Sequence, residues 1–176
     1  MDLIDTIKEK YRYEFFLIQK DSQINCDKLA AEVTKKFPNK KNVSEYFNLL
    51  YIYFLVDKEF GYPTKNSKIL YIGSTVGEKC KNVRSAGFRF MHFKGNADYK
   101  QNITLHKFYM QGNVIGLIIC ECAENENCRE IENAYRFQFL NEFGSLPIAD
   151  GASYSSKKGE FIVKSTSETI DSINEK

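Results

Sequence analysis

Two short tyrosine-bearing runs, Tyr51-Ile52-Tyr53 and Tyr71-Ile72-Gly73, sit on apolar segments and are followed by a cluster of cations and then by a stretch rich in glutamate. Phenol hydroxyls move protons, guanidinium and ammonium groups bind anions, and a carboxylate holds a hard cation. The apolar segments, Leu49 to Val56 and Ile69 to Ile72, are rich in β-branched and aromatic residues and are separated by the turn formers Gly61, Pro63 and Asn66. That pattern predicts a hairpin with a moderately long loop. Tyr53 and Tyr71 then fall on adjacent strands and present two hydroxyls to one region of space.

The cations come in clusters. Lys35, Lys36, Lys40 and Lys41 form one, and Lys79, Lys81, Arg84, Arg89 and Lys94 form another directly after the Tyr-Ile-Gly run. Glu121, Glu124, Glu126, Glu130, Glu132 and Glu142 offset them, so the formal net charge is only +2 and the pI about 8.2. Such a total neither demands nor forbids a polyanionic partner; the distribution of charge carries the information.

The elements that must position these residues follow from periodicity. Leu3, Ile4, Ile7, Tyr11 and Ile18 lie near helical spacing and predict a helix from Asp2 to about Lys20. A second amphipathic helix is expected over Asp27 to Phe37, ended by Pro38, and a third from about Ser85 to Phe93. Ile103 to Met110 reads as a helix stopped at Gly112, and Val114 to Cys120 as a buried strand. The last helix spans about Asn127 to Phe143, with Ile131, Tyr135, Phe139 and Phe143 at four-residue steps and Gly144 and Pro147 beyond its end. After Asp150 the chain turns polar.

At 176 residues the chain is long enough for one domain with a real core and too short for a large second one. No apolar stretch approaches the roughly 20 residues that span a bilayer, and the first residues lack the basic and apolar parts of a secretory signal. A cytoplasmic protein is expected. The odd count of five cysteines, mostly within apolar or helical segments, predicts reduced thiols. Cys120, Cys122 and Cys128 have spacing that invites a zinc site, but no fourth ligand stands near them.

From Tyr51 to about Asp150, the order of elements and the two tyrosine motifs resemble the GIY-YIG endonuclease superfamily. The resemblance rests on Tyr53 followed by Leu55, on Tyr71-Ile72-Gly73-Ser74-Thr75, on a basic helix with Arg89 and His92, and on a later helix with Glu132. Tyr51 stands where the family's first glycine would be, Arg89 and His92 are three residues apart rather than four, and Asp150 occupies the region of a common asparagine. The resemblance implies an α+β fold with a small three-stranded central sheet flanked by helices. Residues 1–48 would then be a helical addition packed on the core, residues 49–150 the nuclease core and residues 151–176 a polar tail.

The resemblance also assigns roles. Tyr53, Tyr71, Arg89, His92 and Glu132 would form the catalytic site, and Lys79, Lys81, Arg84 and Lys94 would bind DNA. The residue types suit phosphodiester hydrolysis, which needs a nucleophile near neutral pH and neutralisation of charge on phosphorus. Glu132 alone would hold Mg²⁺ or Mn²⁺, leaving most of the coordination shell to water and phosphate oxygens. Arg89 would donate twice to phosphate, with Arg84 as its rival. Tyr71, with an ordinary pKa of about 10, needs a neighbouring cation to serve as a base, whereas His92, ordinarily about 6.5, does not. Glu130 and Glu142 compete with Glu132, and each tyrosine taken singly is an ordinary core residue.

Short free-standing chains of this class resemble type II restriction endonucleases, which cut duplex DNA at a specific sequence, and a symmetric homodimer is the economical way to cut both strands. The alternatives are a mobile-element or structure-specific DNA nuclease and a non-catalytic nucleic-acid-binding protein on the same scaffold.

Overall fold

The computed structural model describes residues 3–20, 22, 32, 36, 49–75, 103–123 and 125–150. In chain order these form α1 (Leu3–Lys10), β1 (Tyr13–Ile18), β2 (Leu49–Leu55), β3 (Phe60–Gly61), β4 (Asn66–Ser67), β5 (Ile69–Thr75), α2 (Ile103–Met110), β6 (Ile115–Glu121), α3 (Cys128–Phe143) and a 3-10 turn (Ile148–Asp150). The fold is α+β. Its main sheet has four strands in the order β1-β6-β2-β5, every neighbouring pair antiparallel. A minor ribbon, β3 with β4, lies in the loop between β2 and β5.

The expectation of a three-stranded sheet is corrected by β1. The single helix expected from Asp2 to about Lys20 is instead a helix of eight residues followed by a strand. Leu3, Ile4 and Ile7 are buried at helical spacing, but from Tyr13 onward the burial alternates, with Phe16 and Ile18 inward and Tyr13, Phe15 and Leu17 exposed. Six consecutive aromatic, aliphatic or acidic residues without a helix former other than Glu14 and Leu17 suit a pleated edge better than a helix. Residues 1–48 are therefore not wholly a helical addition, because β1 completes the sheet by pairing with β6 from Tyr13↔Cys120 to Ile18↔Ile115. Lys36 approaches this edge, 3.6 Å from Glu14.

The tyrosine hairpin forms as expected, with Tyr53 directly opposite Tyr71 and Tyr51 opposite Gly73. β2 lies between β6 and β5 and is buried along its whole length, which explains why its sequence is continuously apolar rather than alternating. A bulge between Tyr53 and Phe54 shifts the register beyond this pair. One sheet face packs Tyr51, Tyr53, Leu70, Tyr71, Leu117 and Ile119 against Leu105 and Tyr109 of α2 and Ala149 of the final turn. On the other face Leu50, Ile52, Ile72 and Ile118 meet Ile4 and Ile7 of α1 and Phe139 and Phe143 of α3.

The helix ends follow their predicted signals. Gly112 has φ 80° and lies past α2. Asn127 caps α3 by accepting from the Arg129 amide, and Gly144, at φ 75°, donates its N–H to the Leu140 carbonyl. The Tyr62 hydroxyl ties the final turn to the sheet: it donates to the Ile69 carbonyl at 2.5 Å and accepts from the Ile148 amide at 3.2 Å. Burial pushes its pKa up to about 12.

The expectation of reduced thiols is corrected at Cys122–Cys128, which form a disulfide with Cα atoms 6.1 Å apart. A tight turn brings the two together, closed by the Glu126 amide donating to the Ala123 carbonyl. Cys120 remains a buried thiol, its pKa pushed up to about 12 by burial. Among the described residues no group of three or more His, Cys, Asp or Glu side chains is arranged to hold a metal, and no helix is long and apolar enough to cross a membrane. Of the helix expected over Asp27 to Phe37 only Glu32 and Lys36 are described, both helical, and the helix expected over Ser85 to Phe93 and the polar tail lie outside the described residues.

Candidate functional site

β5 carries the Tyr-Ile-Gly-Ser-Thr run, and alternation along the strand separates its side chains. Tyr71 faces the α2 side and Ile72 the α3 side, so Ser74 follows Ile72 towards α3. The tyrosine side is closed. The rings of Tyr51 and Tyr71 stack with centroids 6.0 Å apart, and Tyr53 meets Tyr71 edge-on at 6.3 Å. Tyr51 and Tyr53 are 0% exposed and Tyr71 5%.

Gly73 makes this packing possible. A Cβ there would come within 2.8 Å of the Tyr51 ring and closer still to Tyr71. The Tyr51 ring therefore fills the space over Gly73, its partner across the strand pair.

The α3 side of β5 is polar. Ser74 Oγ donates to Glu132 Oε2 at 2.5 Å, and Arg136 Nη1 donates to Glu132 Oε1 at 3.1 Å. The Arg136 side chain also approaches Asp150, with Nε 2.9 Å from Oδ2. That N–H is not aligned for a hydrogen bond, so the contact is best described as an ion pair. Arg136 and Asp150 are 6% and 2% exposed. A serine, two carboxylates and a guanidinium thus join β5, α3 and the final turn in one chain of contacts.

The helix register explains this arrangement. Cys128, Arg136, Phe139 and Phe143 are the buried residues of α3, and Glu132 falls between the first two at four-residue spacing, on the face towards the sheet. Ile131 and Tyr135, expected to lead the inward stripe, are only half-buried. The competing glutamates are engaged elsewhere. Glu130 accepts from the side chain of the cap residue Asn127 at 3.1 Å, and Glu142 pairs with Lys65. Of the glutamates on α3, Glu132 is the one bonded to the motif strand.

The sequence-predicted residues are thus divided. Tyr53 and Tyr71 are brought together, in the aromatic cluster on one face. Glu132 stands on the other side of β5, bonded to Ser74 and Arg136 rather than to either tyrosine. Arg89, His92, Lys79, Lys81, Arg84 and Lys94 lie outside the described residues. Ser74, Arg136 and Asp150 were not assigned site roles by the motif pattern. The sequence signal for Ser74 is its place directly after Gly73 in the run, and that for Arg136 is its i+4 relation to Glu132.

A divalent cation was expected at Glu132, and the donor set is compatible with one. Each carboxylate oxygen accepts one bond from the protein and retains a second lone pair. With Glu132 and Asp150 ionised, two negative charges face the single positive charge of Arg136, leaving a net −1. A single carboxylate suits an ion that keeps most of its water shell.

No family model matches this chain, and neither a curated protein nor a solved structure does. The fold is an α+β domain with an antiparallel sheet, and a serine, two carboxylates and a guanidinium meet beside its edge strand β5.

Proposed function

We propose that the protein is a metal-dependent endodeoxyribonuclease of the GIY-YIG type, most similar in organisation to type II restriction enzymes and acting on duplex DNA as a homodimer. The observation that carries this reading is the bond from Ser74, next to the Tyr-Ile-Gly motif, to Glu132 on the last helix. It ties the strand that carries the Tyr-Ile-Gly run to the glutamate of the last helix, while the motif tyrosines face the other way, and Glu130 is engaged at the helix cap instead.

In this reading Glu132 would hold Mg²⁺ or Mn²⁺, whose chemistry there would be to offset charge on phosphate and to make water more acidic. Ser74 and Arg136 fix the carboxylate by bonding to different oxygens. Arg89 would bind the phosphate through two N–H groups, and His92 would accept the proton released by water, since Tyr71 is closed in on the opposite face of β5 from Glu132. Lys79, Lys81, Arg84 and Lys94, which follow β5 in sequence, contact the DNA backbone. Substituting Lys79 and Lys81 with alanine would then weaken binding to all sequences and reduce its salt dependence.

The sealed tyrosines favour a second reading. With Tyr53 and Tyr71 so little exposed, the motif can serve packing alone in a non-catalytic nucleic-acid-binding protein on this scaffold. Incubation of long DNA of mixed sequence with the protein and Mg²⁺, followed by sequencing of the new ends, separates the two. Discrete ends with a shared flanking sequence support restriction-type cleavage, random or structure-dependent ends support another nuclease, and intact DNA in both Mg²⁺ and Mn²⁺ supports the binding protein.

A further inference from the structure

Arg136 is a costly residue to bury beside a carboxylate intended for a cation. Its guanidinium is permanently charged, and its bond to Glu132 Oε1 would by itself cancel the charge that attracts a metal. Asp150 changes this balance. Its carboxylate, 2% exposed, lies 2.9 Å from Arg136 Nε, on a turn held to the sheet through Tyr62 and Ile148.

We infer that Asp150 is a positioning residue that occupies Arg136 electrostatically, so that Arg136 can orient Glu132 without abolishing its attraction for a divalent cation. The inference rests on the reading of Glu132 as the metal-holding residue. Removing the Asp150 charge alone leaves Glu132 facing an uncompensated guanidinium. Removing the charges of both Arg136 and Asp150 leaves Glu132 as the charged member, with its bond from Ser74. The single and double substitutions therefore have opposite consequences for metal affinity, whereas a merely structural role would make the double variant no better than the single one.

The test is Mn²⁺ binding to the full chain without DNA, followed by electron paramagnetic resonance of the free ion, with circular dichroism as the check on folding. Asp150→Asn is expected to weaken Mn²⁺ binding roughly tenfold, the scale of one nearby charge acting on a divalent ion at intermediate dielectric. Arg136→Gln combined with Asp150→Asn is expected to recover affinity to within about threefold of wild type, since the net charge of the site is restored. If Asp150→Asn does not fold, Arg136→Gln compared with the double variant carries the test: the Asp150 charge should make Arg136→Gln bind Mn²⁺ about tenfold more tightly than the double variant, and equal affinities overturn the inference. Unchanged affinity in a folded Asp150→Asn protein, or a double variant that fails to recover, overturns the inference while leaving Glu132 as a metal ligand. Wild-type protein that binds no more Mn²⁺ than Glu132→Gln overturns the metal reading itself, and this inference with it.

Discussion

The two sides of β5 solve different physical problems. Towards α2, Tyr71 joins Tyr51 and Tyr53 in an aromatic cluster closed by Leu105 and Tyr109. Towards α3, Ser74 begins a chain of polar contacts through Glu132 and Arg136 to Asp150. Burial of aromatic rings is strongly favourable, and ring pairs add to it. A buried ion network is different, because desolvation offsets most of the attraction between its charges. The aromatic side therefore accounts for why the motif strand is stable. The polar side, which an apolar helix face could replace at little cost, is the better place to look for function.

The largest expected effect lies on the aromatic side. Tyr51→Ala should destabilise the protein by about 3–5 kcal/mol, as large aromatic truncations in packed cores do, and chemical denaturation measures it. A loss under about 1 kcal/mol would mean that the ring is not part of a sealed cluster. Next comes Tyr71, whose ring stacks on Tyr51. Tyr71→Ala should cost about 3 kcal/mol, whereas Tyr71→Phe, which keeps the ring, should leave DNA cleavage within about threefold of wild type. A Tyr71→Phe variant slowed about a hundredfold at an unchanged melting temperature would bring the closed side into the chemistry and contradict the division.

A smaller effect is expected at Tyr62, which links the aromatic core to the turn bearing Asp150. Tyr62→Phe removes the hydroxyl shared by Ile69 and Ile148 and should cost about 1–2 kcal/mol near neutral pH. Its pH dependence has a definite sign. The fold favours the protonated phenol, raised by burial to about 12 from about 10 when unfolded. Its contribution is complete below about pH 10 and is lost as pH rises towards 12. Stability of the wild type should fall across that alkaline window more steeply than that of Tyr62→Phe, as followed by denaturation at fixed pH.

The smallest stability effect is expected on the polar side. Replacing Glu132, Arg136 and Asp150 together by Leu, Met and Leu should leave folding stability within about 1 kcal/mol of wild type or raise it, while abolishing cleavage. A large destabilisation would make the network structural and erase the contrast with the tyrosine face.

The elements on either side of this division were partly legible in sequence, but the division itself was not, because the resemblance groups Tyr53, Tyr71 and Glu132 in one site while strand alternation sends them to opposite faces. The hairpin was readable because β2 is buried on both faces and its composition says so, and α3 because Asn127 and Gly144 mark its ends with specific chemistry. β1 was missed because Ile7, Tyr11 and Ile18 also satisfy a helical period, and only the alternation of Phe16 and Ile18 against the β6 partner distinguishes a strand. Arg136 was missed because a charged residue on an amphipathic helix ordinarily faces water. Its burial depends on Glu132 and on Asp150, the latter brought back by the turn after the helix. The disulfide likewise depends on the tight turn that brings Cys122 beside the first residue of α3.

Single-turnover cleavage by Glu132→Gln, measured beside the wild type in Mg²⁺ with circular dichroism and DNA binding as controls, tests the central claim most directly. The polar side of β5 predicts a folded variant that binds DNA and does not cut it, because the substitution removes the carboxylate charge with little change in side-chain size. Cleavage at the wild-type rate would contradict the account and remove Glu132 from the chemistry.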